Sequence, residues 1–316
     1  MTLKPPEHIL RIPPYVPGKP VEELERERGI RDSVKLASNE NPLGPSPAAL
    51  EALRVAIAGV HRYPDSAGFE LTRALAGRLG IDPAGIVLGN GSDDIIGMLA
   101  TAFLRPGDEV VMPQPSFQMY EIETLAAAAV PVMVPLRDLR TDLEAMAERL
   151  SARTRMVFVN TPHNPTGSLV PRAELERFLD RVPAEALVVL DEAYVEFARD
   201  PEGPDSRDYV AAGRPVVGLR TFSKAYGLAG LRIGYGLMDP AVASVLNRVR
   251  QPFNTGSLAQ IGARAALDDE EFQERTRRII WSGLDYLYDE LRKMGLKTIP
   301  TQTNYFLIEV PHDARK

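Results

Sequence analysis

A lysine and an arginine stand in a stretch that is otherwise apolar, small or glycine, TFSKAYGLAGLRIGYG at 221–236. Such cations are rarely buried unless an opposite charge or a ligand pairs with them. The amine of Lys224 can form an imine with an aldehyde, and the guanidinium of Arg232 can bind a phosphate. A surface loop with two solvated cations would give the same pattern, so the interpretation depends on the rest of the chain.

Further candidate ligand-binding groups follow predicted strands. After GIVLG, the run NGSDD opens a predicted helix, whose free N–H groups would bind an anion; a helix cap by Ser92 or Asp93 is the alternative. After DEVVMP, the run QPSFQMY carries Phe117 and Tyr120, which would either face a flat ligand or pack in the core. After RMVFVN, the turn TPHNPTG carries Asn164, which offers both a donor and an acceptor.

A carboxylate, Asp191, ends the apolar run ALVVL. It is costly to bury and needs a partner, which is either a cation of the protein or a protonated ring nitrogen of a ligand. Together the strand ends describe a pocket for a planar, phosphorylated aldehyde with a cationic ring, and pyridoxal 5′-phosphate fits each part. Lys224 would form the Schiff base, Asp191 would pair with the ring nitrogen, and Arg232, Ser92 and Ser223 would receive the phosphate.

The elements that must position these groups alternate between strand and helix. Amphipathic helical stretches separate seven β-rich runs: GIVLG (85–89), DEVVMP (108–113), VPVMVP (130–135), RMVFVN (155–160), ALVVLD (186–191), PVVGLRTF (215–222) and LRIGYGL (231–237). Several runs are almost continuously apolar, which is typical of parallel strands covered on both faces. In such sheets ligands bind beyond the carboxyl ends of the strands.

The fold class predicted is α/β, a three-layer αβα arrangement with a mostly parallel central sheet plus a smaller α+β domain. Residues 1–30 are predicted to form an N-terminal arm that is rich in proline and then charged. Residues 31–245 would be the large ligand-binding domain. Residues 246–316, with a long helix and the strand TNYFLIEV, would be the small domain.

Composition excludes several classes of protein. The 316 residues are 44% hydrophobic and 25% charged with a net charge of −6, so no general attraction to nucleic acid or to an anionic membrane is expected. The chain has no cysteine, hence no disulfide, thiolate metal site or cysteine nucleophile. Without a long apolar segment, a cytoplasmic protein is predicted.

Other catalytic motifs are missing from the sequence. There is no Walker A pattern, and a serine hydrolase of the S-x-x-K type is excluded because position 221 is threonine and neither S-D-N nor K-T-G occurs. The four histidines, His8, His61, His163 and His312, show no ligand spacing, so no metal site is expected. Each histidine is predicted to be a surface or turn residue.

The motifs SNENPLGPS, RYPD, GNGSDD, PSFQMY, NTPHNPTG, LDEAYVEF and TFSKAYGLAGLRIGY occur in the order found in fold-type I, pyridoxal-phosphate-dependent aminotransferases. In detail the chain most resembles the histidinol-phosphate aminotransferases, from about residue 10 to residue 310. The resemblance implies that Lys224 is the Schiff-base lysine and the base for the proton shift. It implies that Asp191 keeps the ring nitrogen protonated, that Tyr194 and Asn164 bond the 3′-oxygen, and that Phe117 stacks on the ring.

The resemblance extends to the phosphate and to the substrate. The phosphate would be held by Ser92, the backbone of Asp93, Ser223 and Arg232, with Thr221 as a further candidate. Tyr63 would reach the phosphate of a neighbouring subunit's cofactor, which implies a homodimer with shared sites. Tyr15 and Asn39 would close over the substrate. Additional candidates for the substrate side are Tyr120, Asn254 and Asn304.

The implied reaction moves an amino group between L-glutamate/2-oxoglutarate and a phosphorylated imidazole compound, histidinol phosphate or imidazole-acetol phosphate. An aromatic amino-acid aminotransferase, a threonine-phosphate decarboxylase of the same fold and a non-catalytic binding module remain alternatives. The family grips the substrate carboxylate with an arginine near the C-terminus. Arg315 lies in no matching motif, so either the sequence is a piece of a longer chain or the small domain is truncated. We expect the first.

Overall fold

The computed structural model describes residues 3–15, 17–31 and 33–314. The strands of the main sheet are β1 (Ile86–Gly89), β2 (Glu109–Gln114), β3 (Val130–Pro135), β4 (Thr154–Asn160), β5 (Leu187–Asp191), β6 (Val216–Thr221) and β7 (Gly234–Leu237). A separate pair consists of β8 (Lys297–Thr298) and β9 (Ile308–Glu309).

Helices cover the main sheet and form most of the C-terminal part. Those of the first half are α1 (Glu7–Leu10), α2 (Val21–Arg28), α3 (Pro47–Ala56), α4 (Phe69–Leu79), α5 (Ser92–Phe103) and α6 (Gln118–Ala126). Those of the second half are α7 (Leu143–Glu148), α8 (Arg172–Leu179), α9 (Ser206–Ala211), α10 (Pro240–Val249), α11 (Ser257–Leu267) and α12 (Glu270–Lys293).

The strand order of the main sheet is β1-β7-β6-β5-β4-β2-β3. All neighbouring strands are parallel except at β7, which is antiparallel to both β1 and β6. The carboxyl ends of the other six strands therefore lie along one edge. The predicted αβα fold with a mostly parallel sheet is confirmed, and each of the seven predicted strand runs contains a strand.

The core explains why these runs are apolar throughout. Along β4, Phe158 packs into a cluster with α5, α6 and α10 on one face of the sheet. Its neighbours Val157 and Val159 pack on the other face, with α7, α8 and α9. Because successive side chains of a strand point to opposite faces, both sets must be apolar when helices cover both faces. A third cluster joins α3, α4 and α11.

The predicted strand at 303–310 is mostly irregular. Only Ile308–Glu309 is regular, paired with Lys297–Thr298. Upstream, the hydroxyl of Thr303 donates to the carbonyl of Tyr305 (2.9 Å) and accepts from its N–H (3.3 Å). These local bonds use backbone groups that a sheet ladder would need, so no strand forms there.

One strand boundary also differs from the prediction. The last strand begins at Gly234 and not at residue 231, because Arg232 adopts a left-handed conformation with φ of 54°.

In the described ranges no helix is both long and apolar enough to span a bilayer. The division into arm, large domain and small domain stays a prediction. Arg315 lies outside the described residues.

A buried ion pair joins the carboxyl ends of β5 and β6. Arg220 Nε donates to Glu192 Oε2 at 2.8 Å, and the hydroxyl and N–H of Ser206 donate to the same carboxylate at 2.6 and 2.7 Å. Gly218 lets Ser206 approach, since a Cβ at residue 218 would lie 2.1 Å from the Ser206 hydroxyl oxygen. This pairing satisfies two buried charges on the face opposite to Asp191 and Leu219.

We expect Gly218→Ala to lower the free energy of unfolding by about 1–3 kcal/mol, because the added methyl overpacks a buried contact. Urea unfolding followed by circular dichroism measures it. Gly77→Ala is the control: it lies in α4 with no atom within 4 Å of an added Cβ, so it should leave stability equal or raise it by up to about 1 kcal/mol. Equal stability of Gly218→Ala and wild type would contradict the assignment.

Candidate active site

A cavity of about 380 Å³ opens at the edge where the parallel strands end. Many of the residues singled out from the sequence line it: Tyr15, Asn39, Ser92, Asp93, Phe117, Asn164, Asp191, Tyr194, Thr221, Ser223, Lys224 and Arg232. The fold thus brings these groups together from segments far apart in the chain. Their individual roles stay predictions.

One end of the cavity is suited to an anion. Gly91 is the N-cap of α5, and no side chain in the described part of the chain caps that helix, so N–H groups of its first turn can bind a ligand. Arg232 lies beside it, with Nη1 3.3 Å from Ser223 Oγ and Nη2 3.5 Å from Asp93 Oδ2. A Cβ at Gly91, whose φ is 82°, would lie 2.5 Å from Arg232 Nη2. The positive φ therefore favours glycine at this position, and a side chain here would also displace the guanidinium of Arg232.

Asp191 is a buried carboxylate without a cationic partner. It accepts the hydroxyl of Tyr120 at 2.5 Å and the N–H of Ala193 at 3.1 Å, and Asn160 Nδ2 donates to the same tyrosine oxygen at 2.8 Å. No lysine, arginine or histidine in the described part of the chain forms an ion pair with it. Burial raises the pKa of Asp191 to about 6, against the lowering effect of the two donors.

Lys224 enters the cavity from the segment after β6. Its Nζ donates to the carbonyl of Ser38 at 2.8 Å and lies 5.7 Å from the ring centroid of Tyr194. Burial lowers the pKa of Lys224, with Arg232 acting in the same direction and the carboxylate of Glu40 opposing it. A larger neutral fraction makes this amine a better nucleophile and base.

Tyr194 follows Asp191 by three residues and lines the same cavity. Its hydroxyl oxygen accepts from Asn39 Nδ2 at 3.0 Å. Burial raises the pKa of Tyr194 to about 12, so the phenol keeps its proton and can donate it. Asn164 is fixed through its backbone N–H, which donates to Asn160 Oδ1 at 2.7 Å.

The predicted substrate contact of Tyr120 is wrong and the alternative of core packing is correct, because the structure buries this residue completely. Its hydroxyl instead supports Asp191. Asn254 also lies outside the cavity lining, where its amide donates to Leu88 O at 3.0 Å and Asp94 Oδ2 at 2.7 Å.

Two further predicted residues lie away from the cavity lining. Asn304 lies behind the lining residue Asn39, and its Nδ2 donates to the carbonyl of Asn39 at 3.0 Å. Tyr63 is 82% exposed and stacks on Phe253 with ring centroids 4.7 Å apart. It therefore faces outward, and its predicted contact with a second subunit stays a prediction.

Some lining residues were missed by the sequence analysis, namely Gly18, Ser38, Glu40, Asn160, Ala193 and Ala229. Asn160 gave a usable signal, because it is a polar residue at the end of an apolar strand, as Asp191 is. His163 is a turn residue, yet it is fully buried and not at the surface. Burial lowers its pKa to about 4, and Nδ1 lies 2.9 Å from Thr166 Oγ1, so the ring is neutral near pH 7.

The sheet topology, together with a lysine, a buried carboxylate and an anion cradle at its edge, defines a transferase of fold type I. The chain belongs to the family described as aminotransferase class I and II, whose sequence profile matches residues 31–315. The family predicted from the motifs is thereby confirmed.

Curated relatives extend the comparison over almost the whole chain. The chain is 49% identical over 311 residues to the histidinol-phosphate aminotransferase of Moorella thermoacetica, covering 98% of this chain and 81% of that protein. It is 51% identical over 308 residues to histidinol-phosphate aminotransferase 2 of Pseudomonas aeruginosa, covering 97% and 84%.

A solved structure agrees with these relatives. The histidinol-phosphate aminotransferase of Sinorhizobium meliloti, in complex with pyridoxal 5′-phosphate, superposes with a TM-score of 0.90 at 31% identity. The matched region covers 98% of this chain and 83% of that one.

We expect Tyr120→Phe to raise the pKa of Asp191 above about 6, by about one unit, because the carboxylate loses its closest donor. The measurement is a ¹³C NMR titration of the side-chain carboxyl in cofactor-free protein, assigned by comparison with Asp191→Asn.

The matched control for this titration is Tyr209→Phe. Tyr209 is also buried, but its hydroxyl has no hydrogen-bond partner among the described residues. Removing that hydroxyl should leave the pKa of Asp191 unchanged. An unchanged midpoint in Tyr120→Phe would show that the tyrosine hydroxyl does not stabilise the ionised carboxylate.

Proposed function

We propose that this chain is a pyridoxal-phosphate-dependent aminotransferase that interconverts histidinol phosphate plus 2-oxoglutarate and imidazole-acetol phosphate plus L-glutamate. The observation that carries the proposal is one cavity lined by Lys224, Asp191 and Arg232, with the uncapped start of α5 beside them. The names of the relatives and the cofactor bound in the Sinorhizobium meliloti enzyme support it.

The residues present fit the cofactor. The free N–H groups after Gly91, with Ser92, Ser223 and Arg232, would hold its phosphate, because they supply donors and positive charge at one end of the cavity. Asp191 offers a buried acceptor without a cation, which suits a protonated ring nitrogen.

Other lining residues would orient the ring and the substrate. Phe117 offers an aromatic face, and Tyr194 and Asn164 offer groups that can bond the ring's 3′-oxygen. Thr221 and Asp93 also line the cavity and would border the phosphate. Tyr15 and Asn39 would meet the substrate from the N-terminal side.

The cofactor supplies an electron-withdrawing ring that makes the Cα proton of an amino acid acidic. Lys224 takes and returns that proton at Nζ, and its lowered pKa keeps part of the amine neutral for this task. General acid–base help of this kind is typically worth about 10²–10⁴-fold in rate. Asp191, with a pKa of about 6, is mostly ionised at pH 7 and can balance a positive ring nitrogen.

A homodimer with shared sites belongs to the same proposal. Apolar side chains are exposed along residues 55–63 and at Phe253, which stacks on Tyr63: Val55, Ile57, Val60, Tyr63 and Phe253 are 76%, 61%, 55%, 82% and 41% exposed. Such a surface favours contact with another protein, and a second copy is the partner that the family resemblance implies. The predicted cytoplasmic location stays a prediction.

The first measurement is an absorption spectrum of the protein with pyridoxal phosphate. We expect a visible band that bleaches with L-glutamate and returns with imidazole-acetol phosphate. Recovery with an aromatic keto acid instead would indicate the aromatic aminotransferase. Release of CO₂ from threonine phosphate, without need for a keto acid, would indicate the decarboxylase.

We expect Lys224→Ala to retain cofactor binding and to lower turnover by at least about 10²-fold, because the proton-transferring amine is lost. Lys293→Ala is the control, since Lys293 is an exposed residue of α12 that forms a surface ion pair with Glu290. Turnover by Lys224→Ala near the wild-type rate would refute the assignment of Lys224. The assignment would also be refuted if neither the wild type nor Lys224→Ala showed the absorption band of bound cofactor.

Mixed dimers test the shared site. Tyr63→Ala and Lys224→Ala are each expected to be nearly inactive alone. If Tyr63 serves the partner's site, unfolding and refolding them together in equal amounts should restore about a quarter of wild-type activity, since half the dimers carry one intact site. No recovery, although the mixture sediments as a dimer, would show that Tyr63 acts within its own chain.

A further inference from the structure

Two consecutive residues at the cavity wall, Ser38 and Asn39, have a left-handed backbone with φ of 68° and 54°. We call them the 38–39 turn. The carbonyl of Ser38 accepts from Lys224 Nζ at 2.8 Å, and Asn39 Nδ2 donates to Tyr194 Oη at 3.0 Å. Left-handed conformation is unfavourable for residues other than glycine, so contacts around the turn must hold it.

The C-terminal segment supplies such a contact. Asn304 Nδ2 donates to the carbonyl of Asn39 at 3.0 Å. The next residue, Tyr305, donates its hydroxyl to the carbonyl of His163 at 3.1 Å and packs edge-on against Tyr194, with ring centroids 5.2 Å apart. The segment thus fixes both the turn and the ring of Tyr194.

The direction of the bond to Tyr194 has a chemical consequence. A phenol has one proton, and the amide nitrogen of Asn39 can only donate. The oxygen of Tyr194 must therefore accept from Asn39, which leaves its own proton free for an acceptor in the cavity. Donation from Asn39 also polarises the phenol and strengthens it as a donor.

We propose that Asn39 and Asn304 are positioning residues: Asn304 fixes the 38–39 turn, and Asn39 directs the proton of Tyr194 to the 3′-oxygen of bound cofactor. This inference rests on the proposed function, because the acceptor is part of pyridoxal phosphate. Asn304, which lies behind the cavity lining, would act through Asn39. Asn39 would in turn act through Tyr194.

The test is a pH titration of the visible absorption of the protein loaded with pyridoxal phosphate, without substrate. A proton donated to the 3′-oxygen stabilises the negative charge that this oxygen carries in the deprotonated form of the bound cofactor. Loss of that donation therefore raises the pH midpoint of the absorption change. Asn39→Ala and Asn304→Ala should raise it by about 0.5–1 unit. Asn39→Asp should raise it more, because a carboxylate captures the tyrosine proton.

Asn39→Ala and Asn304→Ala in a Tyr194→Phe background provide the decisive comparison, because neither substitution adds a charge. If Asn39 and Asn304 act through the hydroxyl, they cause no further shift there, since coupled residues are not additive. Among the described residues, the titratable groups that act on Tyr194 or contact it include Lys224, Asp191, Asp93, Tyr15 and Tyr305, and all are kept in both backgrounds. Asn247→Ala, an exposed position in α10, should leave the midpoint unchanged.

Equal shifts in both backgrounds, or no shift in variants that bind the cofactor, would overturn the inference and leave the proposed function intact. A wild-type protein that shows no visible band with pyridoxal phosphate would instead refute the proposed function. Asn39→Asp preserves side-chain size, and Asn304→Ala tests the same relay from outside the turn, so the result does not depend on one variant folding.

Discussion

The burial of Asp191 without a cation is the constraint on which the site depends. A lone carboxylate in a protein interior is unfavourable unless donors or a positive ligand stabilise it. Tyr120 and the N–H of Ala193 supply part of that stabilisation, and Asn160 orients the tyrosine. Among the described residues no cation pairs with Asp191, and a protonated ring nitrogen of the cofactor would supply that charge.

The sheet determines what can meet this carboxylate. Parallel strands end at the same edge, so Asp191 at the end of β5 and Lys224 after β6 reach one cavity. The single antiparallel strand, β7, begins at the edge where β6 ends. Arg232, just before β7, therefore joins the same cavity, and the left-handed conformation of Arg232 brings its guanidinium beside Gly91.

Burial in the cavity also shifts the pKa values of its ionisable groups. Burial lowers the pKa of Lys224 and raises the pKa values of Asp191 and Tyr194, so each group is held nearer its neutral form. For the lysine this favours proton transfer, and for the tyrosine it preserves a donor. The 38–39 turn touches both Lys224 and Tyr194, which links the wall of the cavity to its chemistry.

The sequence alone determined the fold class and the groups at strand ends, because apolar periodicity and polar residues that follow it are local signals. Only the tertiary structure decided contacts between distant segments. Tyr120 meets Asp191 across 71 residues, Asn39 meets Tyr194 across 155, and Asn304 meets Asn39 across 265. A local sequence pattern does not determine the orientation of such side chains, because the packing of the whole chain sets it.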